Sequence, residues 1–209
     1  MDFSRIFTFR FERCLIDRIL TRANYDRRER PEYGAEAVRV NISAYVLNMP
    51  EVSFNKHRGA LTLDMYFRQT WSDPRLRFPQ ESKPSRFTKI KGGRELLDEI
   101  WVPDTFFVNE LRSESLDTAV WIQDGRVKWS QRLRVTCTQL SAGQDFSVFP
   151  FDTQQFSLEI ESYGYSAADL RYAWETEDSF ILSPEITFYD FQLLGDKEET
   201  IEVGRDVAP

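Results

Sequence analysis

A carboxylate and a phenol stand two residues apart at Glu161 and Tyr163, near the end of an alternating run. In that run Phe156, Leu158 and Ile160 alternate with Ser157, Glu159 and Glu161. A period of two places Glu159, Glu161 and Tyr163 on the face opposite the apolar set. The pairing suits an organic ammonium ion, which a carboxylate neutralises and an aromatic face attracts through its quadrupole. A half-buried strand with one wet face would carry the same residues without a ligand. Two further runs put aromatic, basic and hydroxyl groups on their polar parity: Tyr66 with Arg68, and Ser130 with Arg132.

Little else in the chain is equipped for chemistry. The one histidine, His57, lies between Lys56 and Arg58 in a turn-rich stretch, which reads as a solvated loop tip. No Ser or Cys has a nucleophile setting, and nothing has metal-ligand spacing, so neither an enzyme nor a cofactor is expected. Glu159 and Glu161 point the same way from one strand and cannot flank a substrate as an acid–base pair. A formal charge of −7 argues against a nucleic-acid binder, which needs a basic excess. Cys14 and Cys137 cannot make a disulfide scaffold. Five Trp and eight Tyr leave a carbohydrate-binding sandwich open.

The elements that must position these groups are mostly strands. Phe11, Leu15 and Ile19, with Ile16 and Leu20 one position round, predict an amphipathic helix of about three turns. Val38 to Val46 and Leu61 to Phe67 alternate as half-buried strands. Between them Pro50 to Gly59 reads as a hairpin loop. Pro103 confines Trp101 to Phe107 to an edge, bulge or turn. Asp124-Gly125 predicts a tight hairpin between Val120-Trp121-Ile122 and Val127 to Cys137. Leu170 to Trp174 and Ile186 to Leu194 add two strands. The fold expected is all-β: an antiparallel β-sandwich of about 8–10 strands preceded by one N-terminal α-helix, in one domain over residues 1–209. No secretory signal is visible before Tyr25, and no run of about 18 apolar residues would span a membrane.

The chain resembles the extracellular ligand-binding domain of the pentameric ligand-gated ion channels, the Cys-loop receptor superfamily, in its γ-aminobutyric acid and glycine receptor branch. The residues that carry the likeness stand in family order. They are Tyr25-Asp26 before Arg30-Pro31, Leu63 to Gln69 leading to Trp71, Asp73 and Leu76, Trp101 to Phe107, Phe149-Pro150-Phe151-Asp152, and Leu158 to Tyr165. The resemblance implies a ring of five subunits, homo- or heteromeric, with a small amine or amino-acid agonist held between neighbours. It implies a principal face of Phe106, Glu161, Ser162 and Tyr163, and a complementary face of Tyr66, Arg68, Ser130 and Arg132. An Arg across from a carboxylate suits a zwitterion, the guanidinium taking its carboxylate in a fork. Phe106 stands where related subunits often carry Tyr. Phe149, Pro150, Phe151 and Asp152 would touch a pore domain, by kinship that of a chloride channel, on the outer side of a cell membrane. A soluble binding protein of the same fold is the alternative.

Three departures accompany the likeness. Aligned on Phe149 to Asp152, the two cysteines that name the superfamily fall at Ala142 and Phe156, so the loop disulfide is absent. The hairpin loop from Ser53 to Ala60 reads as about five residues longer than usual, with Lys56-His57-Arg58 available to alter coupling or meet lipid headgroups. The chain is expected to stop before the last strand and the membrane helices. Asn41-Ile42-Ser43 is a glycosylation sequon whose place in mid-strand makes occupancy doubtful.

Overall fold

The computed structural model describes residues 3–55, 58–78, 89–138, 153 and 155–187. A 20-residue helix, α1 (Phe3–Arg22), leads into a set of strands. Leu15, Ile16 and Ile19 face the core while Arg13, Cys14, Asp17 and Arg18 face solvent, the amphipathic split that the spacing predicts. The helix is longer than expected at its N-terminal end. It stops at Asn24, in the left-handed region at φ 45°. The Tyr25 N–H reaches back to the Leu20 carbonyl and the Asn24 N–H to that of Thr21, the paired bonds of a Schellman cap.

The strands are β1 (Val38–Asn55), β2 (Arg58–Ser72), β3 (Ile90–Gly92), β4 (Thr105–Phe107), β5 (Glu110–Gln123), β6 (Arg126–Thr138), β7 (Ile160–Ser162), β8 (Leu170–Trp174) and β9 (Phe180–Leu182). A short helix, α2 (Arg94–Leu97), follows β3. One sheet runs β3-β5-β6-β2-β1-β8, with β9 also on β1, and a second consists of β4 and β7. Val40, Ile42 and Val46 of β1, Met65 and Phe67 of β2, and Val127 and Val135 of β6 fill the inner face of the large sheet. The small sheet lies across it, with the Phe67 and Phe107 rings 5.3 Å apart at 65°. The all-β sandwich with a leading helix is therefore as expected.

Four details differ from the sequence reading. The large sheet is mixed rather than antiparallel, because β1 pairs in parallel with both β8 and β9. Parallel partners need a crossover, and the whole chain between β1 and β8 serves as one. Second, Pro50 to Asn55 and Arg58 to Gly59 are strand rather than loop. The β1–β2 ladder continues to Asn55↔Arg58, passing register irregularities between Val46 and Asn48 and between Asn48 and Glu51. Pro50, which has no N–H, sits beside those irregularities, where a strand tolerates it.

Third, the strand expected from Phe156 is regular only over Ile160–Ser162. The fully buried Asn109 amide replaces ladder partners just before it. Its Nδ2 donates to the Ser157 carbonyl at 2.6 Å and its Oδ1 accepts from the Glu159 N–H at 3.1 Å. Fourth, Phe180–Leu182 pairs as a strand that no alternation announces, whereas Ile186 and Thr187 are not in a strand. Phe149 to Asp152, Lys56, His57, Ala142 and residues 188–209 lie outside the described residues.

The Asp124-Gly125 hairpin is as predicted: φ values of 48° and 86° give the two left-handed positions of a type I′ turn. Asn41 of the sequon pairs with Thr70 of β2 and Ala173 of β8, inside the sheet rather than on a loop. Cys14 is free and exposed. Cys137 is free and buried, and burial pushes its thiol up to about 11.

Candidate ligand-binding site

The long β2–β6 ladder sets out the first group of side chains. Its register brings Tyr66 opposite Arg132 and Arg68 opposite Ser130. Phe67 and Gln69 are buried beneath the sheet, so the even-numbered residues Tyr66 and Arg68 project from its outer face. Arg68 Cζ lies 5.7 Å from the Tyr66 ring centroid, close enough for the guanidinium to favour the ring face. The result is an open patch with two guanidinium groups, a phenol and a hydroxyl.

The same face is braced lower down. Arg134 grips Asp64 with a fork, Nε to Oδ1 at 2.7 Å and Nη2 to Oδ2 at 2.8 Å. Those bonds hold the Asp64 carboxyl below the usual carboxylate range, against the opposing effect of its desolvation. The Thr62 and Thr136 hydroxyls meet at 3.0 Å in the next rung.

The second group comes from the small sheet. The β4–β7 register sets Phe106 opposite Glu161, Thr105 opposite Ser162 and Phe107 opposite Ile160. Phe107 and Thr105 point at the large sheet, so Phe106 and Glu161 take the other side. Tyr163 joins them: its ring stands 5.9 Å from that of Phe106, edge to face, and the residue is 80% exposed.

A residue that the sequence reading left unassigned, Asp104, holds this group in place. Its Oδ1 accepts from the Ser162 hydroxyl and its Oδ2 from the Gly164 N–H at 2.6 Å, while its carbonyl accepts from the Tyr163 N–H at 3.3 Å. The Ser162 oxygen also accepts from the Tyr165 N–H at 2.9 Å. Ser162 therefore faces away from Glu161, with its hydroxyl engaged within the turn. The segment before Asp104 is itself anchored, since the Trp101 N–H donates to the Tyr25 hydroxyl at 2.9 Å. That hydroxyl donates to the fully buried Asp73 at 2.7 Å. Burial and Asp73 push the Tyr25 phenol upward.

Three further side chains join the two sheets behind the exposed groups. Thr105 Oγ1 donates to Gln69 Oε1, and the Tyr172 hydroxyl lies 2.8 Å from the same oxygen. Because the one threonine proton goes to Gln69, Tyr172 is the donor in the second bond. Gln69 occupies a slot of β2 where Leu63, Met65, Phe67 and Trp71 are apolar, and a buried polar residue there was the available signal.

The two groups thus leave opposite outer faces of one sandwich and cannot meet within a single copy. A groove of about 500 Å³ lies behind the Asp104 turn, lined in part by Arg27, Trp101, Val102 and Tyr165, and neither exposed group borders it. Among the described residues no cluster of His, Cys, Asp and Glu could hold a metal ion, and no helix is long and apolar enough to cross a membrane.

The family model for the neurotransmitter-gated ion-channel ligand-binding domain covers residues 12–205, and the chain belongs to that family. It is similar to γ-aminobutyric acid receptor subunit rho-2 of Rattus norvegicus, with 36% identity over 168 residues, 78% of this chain and 34% of that protein. Subunit rho-1 of Mus musculus is 37% identical over 175 residues, 81% and 35% of the two chains. Subunit beta-4 of Gallus gallus is 30% identical over 178 residues, 82% and 34%. The chain spans about a third of the length of these relatives.

Proposed function

We propose that the chain is the extracellular ligand-binding domain of a pentameric, anion-selective ligand-gated channel subunit, with its agonist held between adjacent copies. One observation supports this above the others: two chemically complementary side-chain groups project from opposite faces of the sandwich. In a ring, the Phe106, Glu161 and Tyr163 face of one copy meets the Tyr66, Arg68, Ser130 and Arg132 face of the next. Glu161 and the two rings take the ammonium end of a zwitterionic amino acid, while Arg68 and Arg132 fork its carboxylate and Ser130 adds a donor. Ser162 contributes through the turn that presents Tyr163. Closure of the interface on the ligand favours the open pore by differential affinity. The relatives are named as γ-aminobutyric acid receptor subunits, so that amino acid is the first ligand to try.

A complementation experiment on the full-length receptor tests this reading. Glu161→Gln subunits and Arg68→Ala subunits, each expressed alone, lose γ-aminobutyric acid binding by about 100-fold or more, as the loss of a desolvated charge partner requires. Co-expressed, they restore a fraction of native-affinity sites, because an Arg68→Ala copy still offers Glu161 to a neighbour that still offers Arg68. Failure of the mixture to recover any site, with rings assembled, would place both residues in one copy's site and end the interface reading.

A further inference from the structure

Arg68 and Phe106 stand back to back. The residues flanking Arg68 on β2 are Phe67 and Gln69, and those flanking Phe106 on β4 are Phe107 and Thr105. Phe67 meets Phe107 edge to face at 5.3 Å, and Gln69 accepts the Thr105 hydroxyl proton. A single packed layer therefore separates the two exposed faces that one copy gives to two different neighbours. Tyr172 of β8 closes the link by donating to Thr105. Gln69 is 1% exposed, so water cannot replace that bond.

We propose that Thr105, Gln69 and Tyr172 are positioning residues that join the two half-sites of a copy. Ligand binding at one interface is then felt at the next interface round the ring. The inference rests on the interface reading above and adds a path between sites. Sliding β4 against β2 would leave the buried Gln69 amide and the half-buried Thr105 hydroxyl and Tyr172 phenol unpaired together, which close-packed interiors resist. A shift of Phe106 toward ligand therefore moves β2, and with it Arg68, rather than being absorbed between the sheets. Because each copy carries one such link, successive sites share a coupling free energy.

Binding of labelled γ-aminobutyric acid to the full-length receptor tests the coupling. The native protein is expected to give a Hill slope above 1. Thr105→Val and Gln69→Met, each of nearly constant volume, should bring the slope to 1 with the ring intact, and Thr105→Ser should keep the native slope. Affinity changes in the first two variants with an unchanged slope would overturn the proposal, leaving a packing role alone. So would a native slope of 1.

A second measurement needs no ligand. In a Cys14→Ser background, Arg68→Cys is labelled with a bulky maleimide, and hydrogen exchange is read at the Val108 amide, which bonds to the Glu159 carbonyl at 2.9 Å. Labelling should change that exchange about fivefold, the low end of common coupling strengths, and should leave it unchanged when Thr105→Val is added. An unresponsive Val108 amide in the Thr105 protein overturns the link whatever the ligand proves to be. A responsive amide in a receptor that does not bind γ-aminobutyric acid supports the link and removes only that ligand.

Discussion

The two exposed faces are held by different means. On the β2–β6 face, an unbroken ladder from Ala60↔Thr138 to Ser72↔Arg126 fixes every side chain, and β1 and β5 flank it on either side. On the β4–β7 face, only three residue pairs connect the strands. Side chains from elsewhere supply what the backbone does not: Asp104 ties down the turn after β7, and Asn109 replaces the ladder before it. A long ladder distributes its hold over many bonds, so losing one changes little. A short one concentrates it in a few groups, and those groups become as necessary as the residues they present.

The largest expected effect follows from removing the concentrated hold. Asp104→Ala leaves the Gly164 N–H and the Ser162 hydroxyl without their carboxylate, a loss of about 3 kcal/mol if each charge-assisted bond is worth the usual amount. Ligand affinity should fall with it, because Tyr163 is no longer fixed beside Phe106. Urea midpoints and hydrogen exchange at Gly164 would measure this, and exchange confined to the 160–165 segment would separate local opening from global unfolding. A midpoint within error of the native one would show that the turn holds itself.

A smaller effect is expected from the ladder face, at Asp64→Ala. Arg134 can turn to water there, and the backbone pairing remains. Its signature is a pH dependence. The folded Asp64 carboxyl is depressed by its Arg134 hydrogen bonds, so its contribution is present above the unfolded value of about 3.9 and is lost as pH falls through the lower folded value. The gap in stability between native protein and Asp64→Ala should thus be constant near neutrality and close in acid. A gap that widened as pH fell would reverse the assigned cause.

This contrast also explains what was legible from sequence. The ladder face was readable because β2 and β6 are long enough for a period of two to declare itself, and Asp124-Gly125 fixed their neighbour's turn. The parity that puts Tyr66, Arg68, Ser130 and Arg132 outside followed from that alone. The small sheet was only half readable. Glu161 and Tyr163 shared a face as expected, yet the alternation was extended back to Phe156, where Asn109 interrupts the pairing. Three residues of β4, β7 or β9 carry no period, and their positions depend on side chains distant in sequence, such as Asp104 acting on Gly164. Family likeness supplied Phe106, which local pattern did not single out. Gln69, Thr105 and Tyr172 went unnoticed because a polar residue in an apolar slot reads as an imperfection until its partners are known.

The smallest change is expected where the ladder is most redundant. Thr62→Val removes one partner of the Thr62–Thr136 hydroxyl pair while keeping a β-branched side chain suited to a strand. Thr136 is only half-buried and can take a water instead. The cost should be about 0.5 kcal/mol, at the low end for a net hydrogen bond, with ligand affinity unchanged. A loss comparable to that of Asp104→Ala would mean that the hydroxyl rung, rather than the backbone ladder, fixes the face. The distinction between distributed and concentrated support would then fail on its stronger side, since the β2–β6 surface would depend on single side chains as much as the β4–β7 surface does.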